Sequence, residues 1–410
     1  MKFLSILFVL LLPLLAKNTL QEAINNAKPG SLLTLPAGIY RGKIVIDKPL
    51  IIKGVKKKTI IEGDGKGTVI KITSSYVTLK NLTIRNSGSN HQGIDSGVSI
   101  IKAKHCNIIH CRFINDLFGI NMEKASDCNI SYNYITSKPF AVGLRGDAVK
   151  LWYSNDNELS HNYVTKSRDF VIWFSNGNVI EYNYGQYSRY SLHFMYTGKN
   201  FVRHNLYKHN VAGIFFMYSQ DTIATDNVIE DSAGNEGLGI GLQAGSNFTI
   251  KNNTIIYCAI GFFLNRSSFH VGTYNHIYNN KLLYNSMGVK FLTMSKRNIF
   301  KGNIFEGNIE DIVNASASSS KYAKDNVWDG NYWDDYQGFD RNNNGIGDTP
   351  YVDYLYANKI WLVDSNIKFF YGSPVMSIIN FLDKLAPFSK PIVLAIDKHP
   401  AMTVGDVHEY

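Results

Sequence analysis

Two asparagine ladders in one register and a composition that suits short strands and tight turns predict an all-β chain. The predicted architecture is a right-handed parallel β-helix, a solenoid with a short N-terminal helical cap and a C-terminal irregular and helical tail. A polar turn followed by an apolar residue recurs at Asn107, Asn129, Asn157, Asn178, Asn200, Thr222, Asn247, Asn275 and Asn298, at separations of 22, 28, 21, 22, 22, 25, 28 and 23 residues. About five residues beyond most of these stands a second series, Asn133, Asn162, Asn183, Asn205, Asn227, Asn253, Asn280 and Asn303. A period of 21 to 28 residues with several strands of three to five residues suits coils stacked at the strand spacing of about 4.8 Å. Inward asparagines at one turn of successive coils can bond along the stack and so satisfy buried amides. The 33 glycines against 10 prolines, with Asn and Tyr throughout, agree with this reading.

The elements follow in chain order. Met1-Lys2 and the apolar run Phe3 to Ala16 read as an export signal, residues 1–16, too short to span a bilayer. Residues 17–31 hold the cap, with Thr19 to Ala27 as a short amphipathic helix closed by Pro29-Gly30. The solenoid runs from Leu32 to Trp333. Residues 334–410 form the extension, in which Pro374 to Leu385 reads as a second amphipathic helix with Val375, Ile378, Ile379, Phe381 and Leu382 on its apolar face. The tail after Tyr351 is the expected docking element. Export places the mature protein outside the cytoplasm. The net charge of +9 is spread over scattered Lys and Arg, with no run longer than Lys56-Lys57-Lys58, which argues against a nucleic-acid partner.

Alternation singles out one strand per coil as a binding face. If Val149, Leu151, Phe170, Ile172, Leu192, Phe194, Ile214 and Phe216 point inward, the outward set is Lys150, Trp152, Val171, Trp173, His193, Met195, Phe215 and Met217. Two Trp, two Met, a His and a Phe are not what a solvated face carries. Thioether sulfur is the soft donor that selects cuprous copper, and imidazole accepts either oxidation state, so His193, Met195 and Met217 are the candidate copper ligands. Trp152, Trp173, Lys150, Arg189, Tyr196 and Tyr218 make up the rest of the expected partner face. At the strand starts, Arg145-Gly146-Asp147, Ser167-Arg168-Asp169 and Ser188-Arg189-Tyr190-Ser191 can pair Arg with Asp between coils.

Asp340, Asn342, Asn344 and Asp348 stand at positions 1, 3, 5 and 9 of an EF-hand-like loop with Gly345 at 6, and Tyr351 replaces the usual Glu at 12, so calcium is a possible ligand. Cys106 and Cys128, one coil apart, are expected to stack as buried fillers of a narrow turn. The four cysteines lack zinc spacing.

The run Gly146 to Ser154, Arg168-Asp169 with Trp173, Arg189 to Tyr196, Gly213 with Phe216-Met217-Tyr218-Ser219, and Gly237 to Leu242 resemble the NosD family of periplasmic accessory proteins of nitrous oxide reductase. The resemblance extends from Leu20 almost to the C-terminus. It implies a non-enzymatic role in delivering copper to the four-copper sulfide centre of the reductase. The implied partners are a membrane ABC transporter, whose permease and ATPase are separate chains, a copper-carrying lipoprotein chaperone, and the reductase. The rival readings are a uronan-modifying β-helix enzyme, for which Lys150 with Asp147 is the nearest catalytic pair, and a surface adhesin, which would show a bland face and an anchor.

Overall fold

The computed structural model describes residues 19–232, 234, 237–314, 325–355, 370, 373–385 and 392–408. The export signal proposed for residues 1–16 lies outside them. No described helix is long and apolar enough to cross a membrane. The chain divides into two compact units at Asn210 and Val211.

In the N-terminal unit each coil contributes three short strands to three parallel sheets, as in Asn129–Ser131, Tyr134–Ser137 and Val149–Trp152. Coils stack without offset: Asn129 pairs with Glu158, Glu158 with Val179, and Val179 with Phe201. The fold is therefore the all-β parallel solenoid that the repeat predicts. Helix Thr19–Asn26 closes the first coil with buried Leu20 and Ile24. The side-chain amide of Gln21 donates to the Val45 carbonyl (3.0 Å) and accepts from the Val45 amide (2.8 Å). It thereby occupies a strand edge that would otherwise invite another chain.

The ladders sit at the inner corners. Asn133, Asn162, Asn183 and Asn205 form one: each Nδ2 donates to the Oδ1 of the next at 3.0 Å, and that oxygen also accepts the donor's backbone N–H. Asn157, Asn178 and Asn200 form the other. Here the sequence reading slips by one residue. Asn107 and Asn129 lie within strands and are only half-buried, and the corner positions belong to Cys106 and Cys128, whose backbone amides donate to Cys128 Sγ and Asn157 Oδ1. The residue before each rung adopts positive φ (for example His161, 55°, and Tyr182, 54°). Asn107 and Asn129 follow their rungs, whereas at Asn247 it is this preceding turn residue, φ 56°, that stands in the sequence reading for Phe248, whose amide donates to Asn275 Oδ1. Cys111 continues the Asn133 ladder, donating its amide to Asn133 Oδ1, and burial pushes its thiol up to about 12.

The C-terminal unit repeats the pattern with Asn227, Asn253, Asn280, Asn303 and Asn331. Asp397 ends the row: its buried carboxylate accepts from the amide and Nδ2 of Asn331 and from Trp333 Nε1. Asp397 belongs to strand Ile392–Asp397, which pairs antiparallel with Tyr351–Leu355. The extension thus supplies the terminal rung that a solenoid end needs. Helix Pro374–Leu385 buries Met376, while Val375, Ile378, Phe381 and Leu382 are exposed.

Candidate functional site

The third sheet of the N-terminal unit carries the predicted face on Val149–Trp152, Asp169–Trp173 and Tyr190–Met195, and the same sheet includes the preceding strands Ser96–Ile101 and Phe118–Glu123. Val149, Leu151, Phe170, Ile172, Leu192 and Phe194 all point into the core. The complementary residues fall into two outward rows. Asn121, Lys150, Val171 and His193 are successive register partners, as are Glu123, Trp152, Trp173 and Met195. The face is less open than alternation suggests: Val171 is buried, and the other five outward residues in this unit, Lys150, Trp152, Trp173, His193 and Met195, are half-covered. Trp152 packs edge-on against Trp173 (centroids 5.3 Å, 76°), which accounts for part of that cover.

Tyr196 does not stand in either row. With Tyr153 and Phe174 it occupies a positive-φ corner, and the three rings stack at 5.0 and 5.1 Å along the margin of the face. On the C-terminal unit Met217 ends strand Ala212–Met217 half-buried, Phe215 is buried, and Tyr218 is exposed.

Lys150 holds its ammonium 5.5 Å from the Trp173 ring and 5.8 Å from the Phe118 ring. Burial lowers its pKa against the opposing pull of Asp147. No carboxylate forms an ion pair with it among the described residues. Asp147 instead takes both arms of Arg168 (2.9 and 3.1 Å), and Asp169 takes Arg189 in the same way, so the coil-to-coil Arg–Asp pairing is present. Burial would raise the Asp169 pKa, but His193 and Arg189 outweigh it and hold the carboxyl below its ordinary range.

Sequence reasoning missed three features of the face. His193 Nδ1 lies 3.5 Å from Asp169 Oδ2. Asn121 donates to Ser99 Oγ, yet its Oδ1, like Trp173 Nε1, is buried without a hydrogen-bond partner among the described residues. The turn between Ser137 and Val149 is pinned beside the strand starts by Arg145, which donates to the Phe140 and Tyr187 carbonyls. Only the first had a signal in sequence, the Arg-Asp and Arg-Tyr-Ser-Leu-His runs on adjacent coils. His193 and Met195, an imidazole and a thioether, stand two residues apart on the outward side of one strand, about 7 Å along the chain.

In the Asp340–Asp348 loop, Asp340 Oδ1 and Oδ2 accept the amides of Asn344 and Gly345, Asn344 Oδ1 accepts from Ile346, and Asp348 Oδ2 accepts from Arg341. The loop is thus folded around its oxygen-bearing side chains.

The profile of the family described as "Periplasmic copper-binding protein (NosD)" matches residues 131–338, just over half of the chain. The chain belongs to the NosD family. A right-handed β-helix profile matches residues 67–186, in keeping with the sheets described above. Two relatives share the description "Probable ABC transporter binding protein NosD". That of Stutzerimonas stutzeri is 26% identical over 90% of this chain and 86% of its own length, and that of Pseudomonas aeruginosa 27% identical over 90% and 87%. Among solved structures, the catalytic unit of a GH87 α-1,3-glucanase from Streptomyces thermodiastaticus superposes with a TM-score of 0.61 at 14% identity, covering 78% of this chain and 66% of that one. At that identity the likeness is one of fold.

Proposed function

We propose that this protein is a non-enzymatic periplasmic accessory factor in the maturation of nitrous oxide reductase. It takes cuprous copper from a copper-carrying lipoprotein, holds it briefly on the outer face of its third sheet, and works with the permease and ATPase of an ABC transporter in supplying the four-copper sulfide centre. The observation that carries this reading is the pairing of His193 and Met195 on one half-covered face beside Trp173, in a chain whose family is described as copper-binding. Half-covered soft donors bind cuprous ion without exposing it to bulk water. The exposed apolar side of helix Pro374–Leu385 supports a docking role for the tail. Against the uronan-enzyme reading stands the commitment of Asp147 to Arg168 and of Lys150 to two aromatic rings.

Anaerobic titration of the mature protein with cuprous ion against a competing chelator tests the site. One ion should bind, and a His193→Ala/Met195→Ala variant should bind at least about a hundredfold more weakly. Met217→Ala is titrated separately to decide whether that thioether contributes. Equal affinity in wild type and the double variant would remove copper from this face. We also infer that calcium stiffens the Asp340–Asp348 loop through Asp340, Asn342, Asn344 and Asp348, a reading supported by the oxygen spacing and by Gly345 at φ 79°.

A further inference from the structure

We propose that Asp169 is the positioning residue of this site. Its carboxylate holds the His193 imidazole in the tautomer with the proton on Nδ1, so that Nε2 carries the lone pair offered to the cuprous ion. The inference rests on reading His193 as a ligand, and it concerns which atom of that ring binds.

Asp169 is buried and its charge is secured by Arg189, whose Nε donates to Oδ1 at 2.9 Å and whose second arm reaches Oδ2. The Tyr190 backbone amide also points at Oδ1, at 3.3 Å. An ionised carboxylate only accepts hydrogen bonds, so the ring nitrogen that faces it, His193 Nδ1 at 3.5 Å from Oδ2, is the one that carries hydrogen. The ring plane is fixed from the other side. The Tyr190 ring lies 4.9 Å from the imidazole at 38°, and the Arg189 guanidinium sits 4.8 Å above the Tyr190 ring. Carboxylate partners of this kind orient metal-binding imidazoles and raise their basicity.

Two observations separate this contact from the general architecture of the fold. First, Asp147 forms the same two-armed pair with Arg168 but has no imidazole against it, so the Arg–Asp pairing does not require one. The residue in register with His193 on the preceding strand is Val171. Second, the register shifts between Asp169 and Val171: Asp169 pairs with Tyr190 but Val171 pairs with His193, leaving one extra residue on strand Tyr190–Met195. Such bulges re-aim side chains beside functional sites. Here the extra residue falls between the tyrosine that braces the ring and the histidine itself.

The test uses the full-length mature protein, labelled with 15N at histidine and free of metal. Long-range proton–nitrogen correlation reads the tautomer of each histidine, and His193→Ala assigns the signal. The Nδ1–H form is expected for His193 in wild type and in Asp147→Asn. In Asp169→Asn, where an amide N–H faces the ring, the Nε2–H form is expected, together with cuprous affinity about ten- to a hundredfold weaker than in Asp147→Asn. Asp147→Asn disturbs the same kind of buried pair one coil away, so it reports what loss of the pair does by itself. An Nε2–H tautomer in wild type, or equal affinity in the two variants, overturns the proposal. The outcomes are separable from failure of the copper reading: if His193→Ala binds cuprous ion as well as wild type, the copper site is elsewhere, whereas the tautomer is read without metal.

Discussion

The inner corners and the outer face of the third sheet, both in the N-terminal unit, treat buried polar groups in opposite ways. At the corner, Asn162 is satisfied by identical neighbours: it accepts from the amide and Nδ2 of Asn133, and donates to Asn183 Oδ1 and the Ile130 carbonyl. On the face, Asn121 Oδ1 and Trp173 Nε1 lack partners among the described residues, and an ammonium rests against two rings. Repetition satisfies polar groups cheaply because each coil presents the same group to the next. Where the residues change from coil to coil, from Asn121 to Lys150 to Val171 to His193, that mechanism is lost. Asn129 Oδ1 and Tyr207 Oη, away from the face, are likewise without a partner among the described residues, so such groups mark where the repeat no longer supplies one.

The comparison breaks first at the corner. Asn183→Ala should cost about 2 kcal/mol or more in urea unfolding, because it leaves the buried Asn162 backbone amide without its acceptor and removes the Nδ2 bonds to the Leu159 carbonyl and Asn205 Oδ1. Asn129→Ala, off the ladder and half-buried, should cost less than about 1 kcal/mol. Equal costs would deny that the corner differs from the strand surface. The copper titration and the tautomer measurement sharpen the other side: Met195→Ala should leave the unfolding midpoint nearly unchanged while cuprous affinity falls.

A smaller effect is expected at the Asp340–Asp348 loop. Adding calcium to chelator-treated protein should raise the melting temperature by a few degrees, and Asp340→Ala should abolish the rise. An unchanged melting curve would leave the loop a plain turn held by its own hydrogen bonds.

The smallest effect belongs to the outer ion pairs of the first coils. Burial would raise the Glu62 pKa, but Arg85 and Arg41 outweigh it and lower it. A lowered carboxyl stabilises above its unfolded value near 4.3 and loses that contribution as pH falls through the folded value. The stability difference between wild type and Glu62→Gln should therefore be flat at neutral pH and vanish in acid. A difference that persists below both values would mean that the pair acts through packing.

The period of the asparagines determined the solenoid, and alternation determined which side chains of the third sheet face outward, because both are consequences of backbone geometry that repeats with the chain. The first ladder was read one residue off at Asn107 and Asn129 because its true rungs there are Cys106 and Cys128, small enough to fit the same corner but chemically unlike asparagine. The tertiary structure alone decided how much of the face is covered, that Tyr196 belongs to a corner stack, that Asp397 closes a ladder begun far upstream, and that Asp169 meets His193. Each of these depends on contacts between coils or on a single-residue bulge, and a repeat read along the chain carries no record of a register shift across it.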